Sequence, residues 1–379
     1  MAHRVNPLVE AIPPSLIRAI NAKKRPGDID LGLGEPTLRP DAAPFEAAMA
    51  WVRENGCPYS PNAGYESLRE QVAAYLGFPG APNVCITVGS EEALYLGIKA
   101  LIDPAKDEVL VVEPSYLAYA KICLMEGIRV RSVALPAADG FAPDAERVLA
   151  ALGPDTRLIV LNSPSNPTGR IWPESELQRL AEGLAQRAEP VFVLSDEVYR
   201  ELYFTPTPPP SIASYHPHSL VVGSLSKSNA LTGLRLGWIA GPREVIAAAI
   251  KVHQFVNTAA STFSQKVAEA VFRAPGALGA HRPSYVQAQA ALALQARQAG
   301  LTFLPPEGAF YCMVKLPESL AANSLAAAER LLEEERVVAV PGIAFGESAE
   351  GWLRLSWVTS GDRLAEGLAR IGAFCRRHA

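Results

Sequence analysis

The sequence predicts an α/β protein: a large domain built on a mostly parallel sheet between helices, followed by a smaller α+β domain. Three observations predict it. Short runs rich in Val, Ile and Leu recur as far as Gly223, and longer helical patterns separate them. The runs are continuously apolar rather than alternating, as strands are when both faces are covered. From about Arg282 the pattern changes to a long Ala/Gln-rich helix and then a mixture of short strands and helices.

Taken in chain order, the Pro-rich arm through Pro44 has too little core of its own and is expected to dock on the smaller domain or on a second subunit. Apolar runs at 84–87, 109–113, 158–162, 191–196 and 220–223 read as buried strands. Helical stretches at 90–102, 116–126, 142–152 and 173–187 fall between them, which implies right-handed crossovers. Residues 205–210 carry four prolines and read as a surface loop. The smaller domain then reads as helix 284–300, strand 309–316, helix 325–335, strands 337–340 and 352–358, and a final helix from Asp362. The expected division is an arm with part of the small domain over 1–45, a large domain over 46–279 and a small domain over 280–379. In open α/β sheets ligands bind beyond the carboxyl ends of the strands, so residues just after each apolar run come first.

Composition narrows the function class. The 379 residues are 49% hydrophobic and 20% charged, with a net charge of −4. No stretch approaches the ~18 unbroken apolar residues of a membrane span, and the scattered basic residues make no patch for nucleic acid. Pro7, Glu10, Pro13 and Pro14 interrupt any signal-peptide core. The five cysteines are far apart with no paired spacing, as expected for reduced thiols in a cytoplasmic protein.

The strand ends carry the chemistry. After the run ending at Gly223 comes Ser224-Leu225-Ser226-Lys227-Ser228, and then Thr232-Gly233-Leu234-Arg235. A lysine among hydroxyls with an arginine close behind suits a Schiff-base lysine beside a phosphate site, and a solvated polar loop reads the same way. Asp196 closes a buried run, where a carboxylate needs a cation or donor unless it simply caps the next segment. Asn166 stands between Pro164 and Pro167 in a rigid loop. Gly89-Ser90-Glu91-Glu92 opens a helix whose free amides suit an anion. Ser90 also suits an ordinary N-cap there, and Glu91 and Glu92, as first-turn acids, can point outward. Tyr116, past another strand end, is placed to stack on a planar ring.

Together S-L-S-K-S-N-A-L-T-G-L-R-L-G-W, N-S-P-S-N-P-T-G and S-D-E-V-Y, in that order, resemble the class I/II aminotransferases of fold type I, with an aspartate-aminotransferase-like core. The resemblance runs from Gly34-Glu35-Pro36 to Arg354. It implies a seven-stranded sheet, pyridoxal 5′-phosphate (PLP) as cofactor, and ping-pong transfer of an amino group from an L-amino acid to a 2-oxo acid. It makes Lys227 the Schiff-base lysine and proton shuttle, and pairs Asp196 with the pyridine nitrogen. Tyr199 and Asn166 would meet the phenolate oxygen, and Tyr116 would stack on the ring. Ser224, Ser226, Arg235 and the Gly89, Ser90 and Glu91 amides would hold the phosphate. Tyr59 matches a tyrosine that reaches a neighbouring subunit's phosphate, which implies a homodimer with the site at its interface. Arg354 matches the arginine that clamps the substrate α-carboxylate, with Gly34 bordering the substrate.

The same scaffold also serves PLP-dependent C–S β-lyases, decarboxylases, cyclising synthases and PLP-binding regulators, and the cofactor residues do not separate them. Substrate choice is less legible. The family often has an acidic–aromatic pair after Gly-Glu-Pro, and Thr37-Leu38 departs from it. Arg39 is the nearest candidate cation for the distal carboxylate of an acidic substrate.

Overall fold

The apolar runs form strands whose successive side chains serve two different cores. The computed structural model describes residues 5–379. In chain order its strands are β1 (Ile29–Asp30), β2 (Val84–Thr87), β3 (Glu108–Glu113), β4 (Arg129–Ala134), β5 (Thr156–Asn162), β6 (Phe192–Asp196), β7 (Ser219–Ser224), β8 (Gly237–Ala240), β9 (Phe303–Leu304), β10 (Tyr311–Lys315), β11 (Val337–Val338), β12 (Val340–Pro341) and β13 (Trp352–Ser356). Seven make the central sheet in the order β2-β8-β7-β6-β5-β3-β4. Only β8 runs against its neighbours. The expected mostly parallel sheet between helices is therefore what forms.

In β3, Val109 and Val111 enter the core beneath the helices Gly89–Leu101 and Ala118–Met125, while Leu110 and Val112 enter the core on the other face. β5 divides in the same way, with Leu158 and Val160 on one side and Ile159 and Leu161 on the other. Burying one such side chain contributes about 1.5–3 kcal/mol, so a one-residue slip would exchange whole faces.

Two strands of this sheet escaped the sequence reading. β4 is an edge strand whose Arg129, Arg131 and Ser132 are exposed, so it carries no apolar run. β8 is four residues long and starts with Gly237, which reads as loop. Helices Ala43–Asn55, Glu66–Leu76, Arg243–Val256 and Thr262–Arg273 were also missed. Pro44, taken as the end of the arm, lies at the start of the first of these, where proline is favoured.

Beyond β8, a four-stranded antiparallel sheet has the order β12-β13-β10-β9. The stretch expected as one strand at 337–340 is two, because β11 pairs with β1 while β12 joins β13. The arm docks on the smaller domain, one of the two places expected for it: Ile20, Ile29 and Leu31 are fully buried in the same core as Leu353, Leu355, Leu368 and Phe374. That docking brings the chain from Leu31 to Gly34 across the carboxyl edge of the central sheet.

Candidate active site

The parallel register lines up three strand ends. Asn162 lies opposite Asp196, and Asp196 opposite Val222, two residues before Ser224. The Asn162 amide donates to the Asp196 carbonyl at 2.8 Å, and its Oδ1 accepts from the Asn166 N–H at 2.6 Å. The loop carrying Asn166 is thus fastened to the end of β6. The Asp196 carboxylate is 4% exposed. Its Oδ2 accepts from the Tyr119 hydroxyl at 2.8 Å and its Oδ1 from the Val198 N–H at 3.3 Å. Burial pushes this carboxyl up to about 6, against the pull of the two donors.

Lys227 follows β7, and its Nζ donates to the Gly34 carbonyl at 2.9 Å. A Cβ on Gly34 would run into the Tyr311 hydroxyl, so only glycine lets that carbonyl come so close. Tyr199 donates to the Tyr311 hydroxyl at 3.1 Å and packs edge-on against Phe310. Burial raises the Tyr199 hydroxyl well above the usual phenol range.

Arg354, in β13, is 2% exposed. Its Nη1 donates to Asn166 Oδ1 at 3.2 Å and its Nη2 to the Gly32 carbonyl, while Nε has no partner. The guanidinium lies 4.4 Å from the Tyr311 ring centre and 5.1 Å from that of Phe345. Burial lowers its proton affinity, opposed by Tyr311, Tyr199, Tyr116 and, at longer range than an ion pair, Asp30. A buried cation without an anion is costly by several kcal/mol, a cost that an incoming carboxylate offsets.

Across the cleft, Gly89 opens helix Gly89–Leu101 at φ +79°. A Cβ there would lie 2.6 Å from Arg235 Nη2, and one on Gly237 would lie 2.6 Å from the Ser90 nitrogen. The two glycines let a guanidinium and two backbone segments meet around the first amides of the helix. Ser224 and Ser226 are buried beside them, with the Ser226 N–H donating to Ser224 Oγ at 3.1 Å.

Two expectations fail at this turn. Ser90 is not the N-cap, because the helix begins one residue earlier and Val88 in the cap position offers no side-chain bond. Of the two acids, Glu91 is exposed as expected, but Glu92 does not point outward. Glu91 accepts from the Tyr116 hydroxyl at 3.3 Å. Burial raises its carboxyl, opposed by Tyr116, Arg235 and Lys227. Glu92 turns into the protein, where its carboxylate accepts from the Val88 N–H, His253 and Asn257.

The fold thus gathers Gly34, Tyr116, Asn166, Asp196, Tyr199, Lys227 and Arg354 around one cleft, with Gly89, Ser90, Glu91, Ser224, Ser226 and Arg235 at one end. Tyr59 stands apart at 88% exposure, and Arg39 is exposed farther along the Gly34 loop. Sequence reasoning missed Tyr119, Tyr311 and Asn162. Tyr119 had a usable signal, since it lies three residues past Tyr116 at the start of a helix.

Residues 27–371 match the family described as Aminotransferase class I and II. The chain belongs to the class I and II aminotransferases. This aminotransferase is 34% identical to the aspartate/prephenate aminotransferase of Thermus thermophilus, with 96% of each chain covered. It is equally 34% identical to the arginine–pyruvate transaminase of Pseudomonas aeruginosa, over 91% of this chain and 89% of that one. A solved aspartate aminotransferase from Thermus thermophilus with maleate superposes at a TM-score of 0.91 and 32% identity, covering 98% of this chain and 100% of the other. Among the described residues no helix is long and apolar enough to cross a membrane.

Proposed function

We propose that the cleft holds PLP and that the enzyme moves an amino group from an L-amino acid to a 2-oxo acid, with Lys227 as the residue that both anchors the cofactor and carries the proton. The observation that carries this reading is the pair of buried charged groups without an ionic partner, Asp196 and Arg354. Each lacks the ion that a pyridinium or a substrate carboxylate would bring. Bound there, the cofactor supplies an aldehyde for the Lys227 amine and a cationic ring able to accept electrons from the substrate Cα.

The chain's own groups then have distinct tasks. Asp196, stiffened by Tyr119 and the Val198 N–H, would hold the ring nitrogen and favour its protonated form. Asn166 and Tyr199, whose hydroxyl now donates to Tyr311, would donate to the ring's phenolate oxygen, and Tyr116 would stack on the ring. Ser224, Ser226, Arg235 and the Gly89, Ser90 and Glu91 amides receive the phosphate dianion. Arg354 takes the α-carboxylate in a two-pronged grip, freeing Asn166 Oδ1 or the Gly32 carbonyl. Once the substrate amine has displaced it from the cofactor, Lys227 Nζ would be free to take the proton of the substrate Cα as general base. Arg39 is our candidate for a distal carboxylate.

Two further inferences belong to this reading. Ser60 and Asn62 bond to Ala260 and Thr258, which fastens the loop while Tyr59 projects outward. Phe255 and Val256 next to Thr258 are 87% and 52% exposed, a surface that suits a second copy of the chain with Tyr59 reaching its phosphate. All five cysteines are free, which fits a reducing cytoplasmic compartment.

The test is the visible spectrum of purified protein supplied with PLP and titrated with single amino acids. We expect a yellow band that bleaches with some amino acids and returns on adding a 2-oxo acid. Pyruvate and ammonia from a cysteine-like substrate without any acceptor, or no yellow form at all, would overturn the assignment.

A further inference from the structure

Helix Gly89–Leu101 faces the cleft with its first turn, yet nothing caps it in the ordinary way. The first amides of a helix have no partner within it, and Val88 supplies no side-chain acceptor. Glu92 reaches back instead, and its Oε2 accepts from the Val88 N–H at 2.6 Å. Its other oxygen accepts from His253 Nδ1 at 2.8 Å and from Asn257 Nδ2 at 2.6 Å. His253 lies in the last turn of helix Arg243–Val256, and Asn257 follows that helix directly. Thr87 Oγ1 donates to the Gly89 carbonyl at 2.9 Å and holds the other strand of the turn.

The carboxylate is therefore a rivet between two helices and a turn. Burial pushes its proton affinity up, but His253, the Val88 N–H and Asn257 outweigh burial and hold it below the usual range. The arrangement is not a fully satisfied piece of core. His253 is completely buried, and its Nε2 has no partner. An unmatched buried polar atom costs about 1–3 kcal/mol, whereas an apolar pair of the same shape would cost nothing. What the rivet provides is geometric: with the Val88 N–H tied inward, the next three amides are left to the cleft, beside Arg235.

We propose that Glu92 is a positioning residue for the cofactor phosphate, fixing the 88–91 turn through His253 and Asn257 without touching the phosphate itself. The inference rests on the reading that this cleft binds PLP. Glu92→Gln keeps the shape but cannot accept from all three donors at once. Its amide also removes a negative charge behind the anion site, so electrostatics alone would tighten PLP.

The experiment compares apoenzyme binding of PLP with that of pyridoxal, which has the same ring and aldehyde but no phosphate, by absorbance titration. For Glu92→Gln we expect the PLP Kd to rise about tenfold, as for one lost charge-assisted hydrogen bond, and the pyridoxal Kd to move less than about twofold. Asn257→Ala, which removes one donor and leaves the carboxylate, should give a smaller loss confined to PLP, and it decides the matter should Glu92→Gln not fold. Equal losses for both ligands would make Glu92 a purely structural residue. Unchanged or tighter PLP binding would also overturn the proposal. Wild-type protein that binds neither ligand would instead overturn the cofactor assignment, and this inference with it.

Discussion

Replacing Asp196 by asparagine is expected to change how the stability of the apoprotein depends on pH. The wild-type carboxyl is raised by burial to about 6, with Tyr119 and the Val198 N–H opposing, against about 3.9 in an unfolded chain. Between those values the folded protein holds a proton that the unfolded chain has released. Stability is therefore full below the unfolded value and falls as pH rises through the window, until both states are ionised. Two pKa units correspond to roughly 3 kcal/mol. Asp196→Asn removes this titration, and its Oδ1 can still accept from the Val198 N–H while its amide faces the Tyr119 hydroxyl, which can accept. Other groups titrate in the same range, so the informative quantity is the difference between variant and wild type. Urea unfolding of both apoproteins at one concentration, from pH 4 to pH 7, should show the variant gaining about 2 kcal/mol relative to wild type. A difference that stays flat within about 0.5 kcal/mol, or that shifts the other way, would refute the argument that burial dominates at Asp196. Saturating PLP should reverse the order at pH 7, because only the ionised aspartate gains a cationic partner.

Lys227→Ala should abolish transamination and the yellow absorbance together, and substantial residual turnover would remove the central assignment. Arg354→Lys should lower kcat/KM for amino acids by about 10- to 100-fold, as expected for exchanging a two-pronged charged contact for a single one; steady-state kinetics showing less than about a threefold change would detach Arg354 from the carboxylate. Gly89→Ala places a methyl 2.6 Å from Arg235 Nη2 at a positive φ. Its strain of about 1–3 kcal/mol should appear as weaker PLP binding in equilibrium titration, and wild-type affinity would show that Arg235 is not held at the phosphate end. Arg39→Ala should reduce kcat/KM for glutamate and spare alanine; unchanged glutamate kinetics end that idea.

Lys227, Asp196 and Asn166 were legible as candidates because each stands at or just after an apolar run, at the edge where α/β sheets bind ligands, and Arg235 because it follows the same segment between two glycines. Arg354 was singled out through the family resemblance, and the structure places it in a buried strand. Edge strand β4 was not, since polar exposed residues leave no period to read, and β8 was hidden by its length. The inward turn of Glu92 was not legible, because nothing near it in sequence reveals His253 beneath it.

By itself, then, the sequence determined the apolar runs, the order of the motifs and the identity of the groups at each strand end, all of which are properties of a few consecutive residues. Only the tertiary structure decided the partners. The Lys227 amine meets a carbonyl 193 residues away, Arg354 an asparagine 188 away, and Glu92 a histidine 161 away. Such pairs are set by register, by the docking of the arm and by how closely glycines let backbones approach, none of which is encoded within a local window of the chain.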